Sequence, residues 1–276
     1  RNDWKGKDRI HFWNMENELN WTCLWRSFLA KSIANKEQQW AWLDGNFTKE
    51  VIETIRDAIE AEDPLAIKTH NFNTAPMMIA DILAILQVMT GHPGLALPNW
   101  AVGWYSVLAW KDYVDVVGLG AYPNYIWSDP VLGYAVAPYV LTASQLTGKP
   151  AMVVESGYPT SPNLSLPFPP WWYTEENQAE YIRQAIPLTQ EVSALLLLKE
   201  PQTKCGLGFI YWALATGEEQ GEHKFLVMEN YQGLMHLPND PRGLYKEGFY
   251  AFKDTLCYSS LIDTTWQSIS QGYTTV

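Results

Sequence analysis

Two glutamates sit where a strand has no structural use for them. Residues Arg9-Ile10-His11-Phe12-Trp13-Asn14-Met15-Glu16-Asn17-Glu18-Leu19-Asn20-Trp21 read as a short buried strand running into amides, acids and then aromatics. A second stretch, Ala151-Met152-Val153-Val154-Glu155-Ser156-Gly157-Tyr158-Pro159, has the same plan, an apolar run ending in one carboxylate and a turn, with its Glu155 137 positions after Glu18. A buried carboxylate has to be hydrogen-bonded or shift its pKa, so this placement marks a site. Two strand-end glutamates, with chain between them for three strand-helix units, predict a carboxylate pair at the mouth of an α/β barrel. Such a pair does general acid/base or nucleophilic work. Glu16 is a near rival of Glu18, whereas Glu155 stands alone after four apolar residues.

The elements that must position these groups alternate. Residues 9–15 form a first strand whose functional end is 16–21. Leu24 to Ala41 is helix-compatible, and Asp44-Gly45-Asn46 breaks it. Thr48 then caps an amphipathic helix with Val51, Ile52, Ile55, Ala58 and Ile59 at helical spacing and Asp63-Pro64 as its stop. A short strand, Leu65 to Thr69, ends in His70-Asn71-Phe72-Asn73. Met77 to Met89 is apolar nearly all round and reads as a buried helix. Val116 to Ala121 is a strand whose glycines allow close packing, with Tyr122-Pro123-Asn124-Tyr125 as its outlet. Residues 131–147 are helical despite Pro138, and Gly148-Lys149-Pro150 turns the chain into the Glu155 strand. After an aromatic loop, Tyr158 to Tyr173, Thr174 caps a helix through Ile186, where Pro187 ends or kinks it. Leu207 to Ala213 is the last strand, and a closing helix spans roughly Leu244 to Leu256. Five strands alternating with helices imply a parallel sheet with helices outside it.

Composition narrows the partners. The chain has 276 residues, 19 basic and 30 acidic, for a net charge of -11, and no basic stripe; nucleic acid is a poor partner. No apolar run reaches membrane-spanning length, so no membrane partner is expected. The 14 Trp and 15 Tyr suit a cleft lined by flat aromatic surfaces or an aromatic-filled core. Cys23, Cys205 and Cys257 have neither metal-site spacing nor an even count for a disulfide framework, and the compartment stays open, with a secreted setting favoured. The five histidines are scattered without paired spacing, so neither metal nor cofactor is expected. Asn20, Asn46 and Asn163 carry the glycosylation triplet, and Asn20 lies too near the candidate site to welcome a glycan.

Four motifs together carry a family resemblance. Trp13-x-x-x-Asn17-Glu18 resembles the strand-four signature of the large clan of retaining glycoside hydrolases with TIM barrels. Val153-Val154-Glu155-Ser156-Gly157-Tyr158-Pro159 is similar to their strand-seven nucleophile motif, closest to the versions in endo-1,3-glucanases and endo-galactanases. Val114 to Pro123 resembles strand six, and Tyr211-Trp212 strand eight. The resemblance implies a (β/α)8 barrel represented here by strands four to eight, with residues 1–260 as the C-terminal part of one catalytic barrel and 261–276 as a tail. Strands one to three, with the strand-two arginine, are missing from the pattern. An upstream segment, a second chain or an oligomer is therefore expected to cover the open sheet.

For function the resemblance implies cleavage of a β-linked poly- or oligosaccharide. Glu18 would be the acid/base and Glu155 the nucleophile, about 5–5.5 Å apart for retention. Burial and the approach of Glu155 are expected to raise the pKa of Glu18. Asn17 would donate to the sugar 2-hydroxyl, Tyr122 would hydrogen-bond the nucleophile, and Trp212 would floor the cleavage point. His70 and Asn71 are candidates for hydroxyl contacts or for positioning Glu18, and Trp172, with Trp171, Trp104 and Trp127, for stacking on further sugars. Two other classes compete: a catalytically silent carbohydrate-binding protein, and an open-sheet enzyme of doubly wound order. Strand order separates the last from a barrel, since only a doubly wound sheet reverses direction partway. Ser156 lacks a Gly-x-Ser-x-Gly elbow and is a weak nucleophile candidate.

Overall fold

The computed structural model describes residues 12–21, 45–78, 89, 104–125, 129–160, 173–199, 209–211, 232–236 and 240–255. They form an α/β structure on a five-stranded, all-parallel sheet. The strands are β1 (Trp13–Asn17), β2 (Lys68–Asn73), β3 (Val116–Gly120), β4 (Ala151–Ser156) and β5 (Phe209–Tyr211). Their spatial order is their chain order, β1-β2-β3-β4-β5, with no reversal. A doubly wound sheet does not have this order. The carboxyl ends of all five strands therefore open on one side.

The helices are α1 (Gly45–Glu62), α2 (Tyr105–Trp110), α3 (Val136–Thr147) and α4 (Glu175–Lys199), and residues 247–255 are helical. Together with one face of the sheet they build the core. Phe72, Val117, Leu119 and Val153 from the strands pack with Ile52, Trp110, Val140 and Ile182 from the helical layer. Local signals explain most boundaries. Asn177 N–H donates to Thr174 Oγ1 at 3.2 Å, so Thr174 caps α4 as expected. Gly148 ends α3 in the left-handed conformation (φ 67°), which favours glycine.

Several expected boundaries move. Helix α1 starts at Gly45, so Thr48 is a buried residue of its first turn and not its cap. Strand β2 runs over Lys68–Asn73, whereas Leu65 is 93 % exposed in the preceding turn. The polar His70-Asn71-Phe72-Asn73 is therefore strand and not outlet. Pro187 neither ends nor divides α4, which continues to Lys199. The segment before α3 is a 3-10 helix, Pro130–Ala135, and Pro138 falls at the third position of α3, where its missing N–H costs no intrahelical bond. The expected helix over 24–41 and the segment 261–276 lie outside the described residues, as do most of the helix expected over 77–89 and all three cysteines. Among the described residues, no helix is long and apolar enough to cross a membrane.

Candidate active site

The site is assembled at the carboxyl ends of β1 to β4, and β2 supplies its centre. Side chains alternate across a strand, and the β2–β3 ladder is regular from Thr69↔Val116 to Asn73↔Gly120. Thr69 and Asn71 therefore share one face, and His70 and Phe72 the other. Asn71 faces away from the helices. Its Nδ2 donates to Asn17 Oδ1 at 2.6 Å and to Glu155 Oε2 at 2.8 Å, joining β1 to β4 across the sheet. Tyr122 Oη donates to the other oxygen of Glu155, Oε1, at 2.6 Å. The two hydrogen bonds fix both oxygens of the carboxyl group in place.

Strict alternation would have sent one member of each dipeptide to the wrong face. Two irregularities prevent this. In β4 the pairing slips between Leu119↔Val153 and Gly120↔Glu155, so Val154 and Glu155 both turn to the site face. Val154 there approaches Gly118, and Glu155 reaches Asn71. In β1 the register slips between Asn14 and Asn17, and Asn14 Oδ1 accepts the Asn71 N–H at 3.0 Å. Glu18 then adopts φ 52°, in the left-handed region that non-glycine residues seldom occupy. Its N–H donates to Asn71 O at 2.9 Å, and its carbonyl accepts from Trp21 N–H at 2.9 Å, which holds the turn. Consecutive Asn17 and Glu18 thus reach the same face.

Glycine makes the space they fill. A Cβ on Gly120 would meet Glu18 Oε1 and Asn71 Oδ1, each at 2.7 Å, so β3 surrenders its side-chain volume to the neighbouring strands. Glu18 Oε1 is buried there. The rival Glu16 is exposed, with its Oε1 accepting the Asn17 N–H at 3.1 Å.

Of the expected site residues, the structure gathers Asn17, Glu18, Asn71, Tyr122 and Glu155 on one face. His70 is not among them. It is fully buried on the helical side, its ring edge-on to Phe72 (4.6 Å) and Trp110 (5.5 Å). Burial lowers its pKa to about 3, so it is a neutral core side chain. Trp172 and Trp212 lie outside the described residues, as do Trp127 and Trp171. Trp104 stacks on Tyr139 at 5.7 Å. Ser156 is buried, with its Oγ donating to Ala121 O at 2.8 Å and lying 2.7 Å from Tyr181 Oη, which fits a structural tie. Among the described residues no cluster of three or more His, Cys, Asp or Glu is arranged to hold a metal.

Two contributors escaped the sequence reading. One is Asn14, described above. The other is Asn20, whose Nδ2 donates to Asn73 O at 3.0 Å while its Oδ1 accepts Asn73 N–H at 3.0 Å. A side-chain amide thus extends the β1–β2 ladder past the turn at Glu18. Full burial of Asn20 also leaves no access for a glycan in this fold. The run of amides, Asn14, Asn17 and Asn20, was the available signal.

No protein-family model matches the chain, and no curated protein does. Similar solved structures include a β-glucuronidase of an uncultured Clostridium species (TM-score 0.46, 14 % identity), covering 85 % of this chain and 35 % of that one. The β-D-glucuronidase of Dictyoglomus thermophilum (TM-score 0.45, 16 % identity) covers 75 % and 29 %. A β-galacturonidase from Eisenbergiella tayi (TM-score 0.44, 15 % identity) covers 75 % and 30 %. The chain spans about a third or less of the length of these three proteins.

Proposed function

We propose that this chain carries the site of a glycosidase that cleaves β-linked poly- or oligosaccharides with retention, on strands four to eight of a (β/α)8 barrel. The observation that carries the reading is the grip on Glu155. A carboxylate held at one oxygen by Tyr122 and at the other by Asn71 is fixed and aimed, as a nucleophile requires. Glu18, brought to the same face over Gly120, is the proton donor.

In the first step a Glu155 oxygen bonds to the anomeric carbon as the glycosidic C–O bond breaks, and the leaving oxygen takes the proton of Glu18. Glu18, now a carboxylate, then removes a proton from water, which attacks the same carbon and releases Glu155. Two inversions give net retention. Asn17, whose Oδ1 is engaged by Asn71, has its Nδ2 to offer to a sugar hydroxyl. Sequential strand order and the convergence of side chains at the carboxyl ends support the barrel reading.

A 2-fluoro aryl β-glycoside tests it. The fluorine slows the second step, so a retaining enzyme accumulates an ester on its nucleophile, and peptide mass spectrometry should find the sugar on Glu155. A label on another residue, or neither label nor turnover with a panel of aryl β-glycosides, overturns the assignment.

A further inference from the structure

Asn71 stands beside both carboxylates, and its amide presents a different end to each. Both Nδ2 protons are committed, one to Asn17 Oδ1 and one to Glu155 Oε2. Reversing the amide would set an oxygen against the charged Glu155, so the orientation is fixed by chemistry. Its Oδ1 is then an acceptor, buried and without a donor among the described residues; Asn71 as a whole is 1 % exposed. An acceptor so placed is costly unless something supplies a proton. The same Oδ1 lies 2.7 Å from the Cβ position of Gly120, and Glu18 Oε1 lies 2.7 Å from that same point. Two buried oxygens converge on one spot. If both are acceptors they repel; a proton on Glu18 turns one of them into a donor.

We propose that the Asn71 amide determines which of the two carboxylates holds the proton. Its NH2 end keeps Glu155 charged, and its carbonyl end favours the protonated form of Glu18. The groups facing this amide are Asn17 from β1, Glu18 just after it and Glu155 from β4; Tyr122, from the outlet of β3, reaches Glu155, and Asn14 accepts the backbone N–H of Asn71. Glu16 is exposed and turned to the Asn17 N–H, and His70 lies on the reverse face of β2. Asn71 is thus a positioning residue: it touches the acid and the nucleophile, not the sugar. The catalytic meaning of the split rests on the glycosidase reading, but the split itself belongs to the resting protein.

The test is a carboxyl-13C glutamate NMR titration of the full chain, with Glu18→Gln and Glu155→Gln assigning the two signals. The two carboxyls should titrate apart, with the proton held to higher pH on Glu18 than on Glu155. In Asn71→Leu the two should move toward each other by about one unit each, a tenfold change in proton affinity at each site. Tyr122→Phe should raise Glu155 and leave Glu18 in place. If Asn71→Leu moves neither group, or both in one direction, the proposal is overturned. Should that variant not fold, the wild-type protein decides. The side-chain amide signal of 15N-labelled Asn71 should show two inflections that coincide with the two glutamates, and a single inflection or none overturns the idea.

Where turnover is measurable, the bell-shaped pH profile of kcat/KM should narrow from both limbs in Asn71→Leu. A purely structural role would lower the rate with the limbs unmoved. Intact opposite titrations without any glycoside turnover would sink the glycosidase reading and leave this one standing. Turnover with titrations that ignore Asn71 would do the reverse.

Discussion

Neighbours in sequence, His70 and Asn71 have opposite fates because a strand sends successive side chains to opposite faces. The sequence named both as candidates for the site; only the register of β2 against β3 says which one faces it. Glu155 was legible from its isolation after apolar residues, and Tyr122 from the outlet motif, since both signals are local. At this scale two outcomes are expected. Tyr122→Phe removes a charge-assisted hydrogen bond to Glu155, worth about 1.5–3 kcal/mol, so on the proposed glycosidase reading kcat/KM should fall about 10- to 100-fold in steady-state assays. His70 sets an acid limit on stability. Its folded pKa, about 3, is depressed by burial below the unfolded value of about 6.5, so the unfolded chain gains the proton first. Stability is fully present above pH 6.5 and is lost as pH falls toward 3, at about 1.4 kcal/mol per pH unit in mid-window. Denaturant titrations of His70→Leu between pH 7 and 4 should show a flatter acid limb than wild type. Parallel curves would mean that His70 is not the group responsible.

Elements deliver what residues promise, and here they do so by departing from regularity. The sequence placed Glu18 and Glu155 at strand ends, but a regular strand would show only one residue of Asn17-Glu18 and one of Val154-Glu155 to the site. A register slip in β4 and a left-handed residue after β1 correct both, and neither has a sequence signature of its own. The glycines of β3 were legible as a sign of close packing, though not what they pack against. Gly118 leaves room for Thr69 and Val154, and Gly120 for Glu18 and Asn71. Gly120→Ala therefore puts a methyl group 2.7 Å from two oxygens of the site. Kinetic assays should show kcat/KM reduced about 100-fold or more, since catalytic groups tolerate misplacement of about 1 Å poorly. Denaturation should show a loss of only about 1–3 kcal/mol, typical of overpacking. An alanine variant with wild-type kinetics would mean that the site oxygens stand elsewhere.

Across the molecule, a buried ion-pair knot and the candidate site occupy opposite ends of the sheet. At the start of β2, Lys68 Nζ lies 3.0 Å from Asp115 and 3.3 Å from Glu60. The Lys68 N–H also donates to Asp115 Oδ2 at 2.8 Å. Burial alone would push the Lys68 ammonium down, but Asp115 and Glu60 outweigh it and hold it above its usual value. This knot fastens the amino ends of β2 and β3, leaving the carboxyl ends to the site. Alternation of strands and helices, and hence the parallel sheet, was legible because periodicity is a long-range pattern. The extent of β2 and the path of α4 through Pro187 were not, because packing overrode local propensity there.

The φ of 52° at Glu18 carries a penalty of about 1 kcal/mol that glycine would not incur. In calorimetry Glu18→Gly should therefore melt about 2–4 °C above Glu18→Ala, which loses the same side-chain contacts but keeps the left-handed strain, and equal melting points would show that the turn is unstrained. Heat endurance and chemistry pull this position in opposite directions. Among variants that have already lost the Glu18 side chain, selection for heat alone would settle on glycine there, and the sheet would outlast the carboxylate proposed as its proton donor.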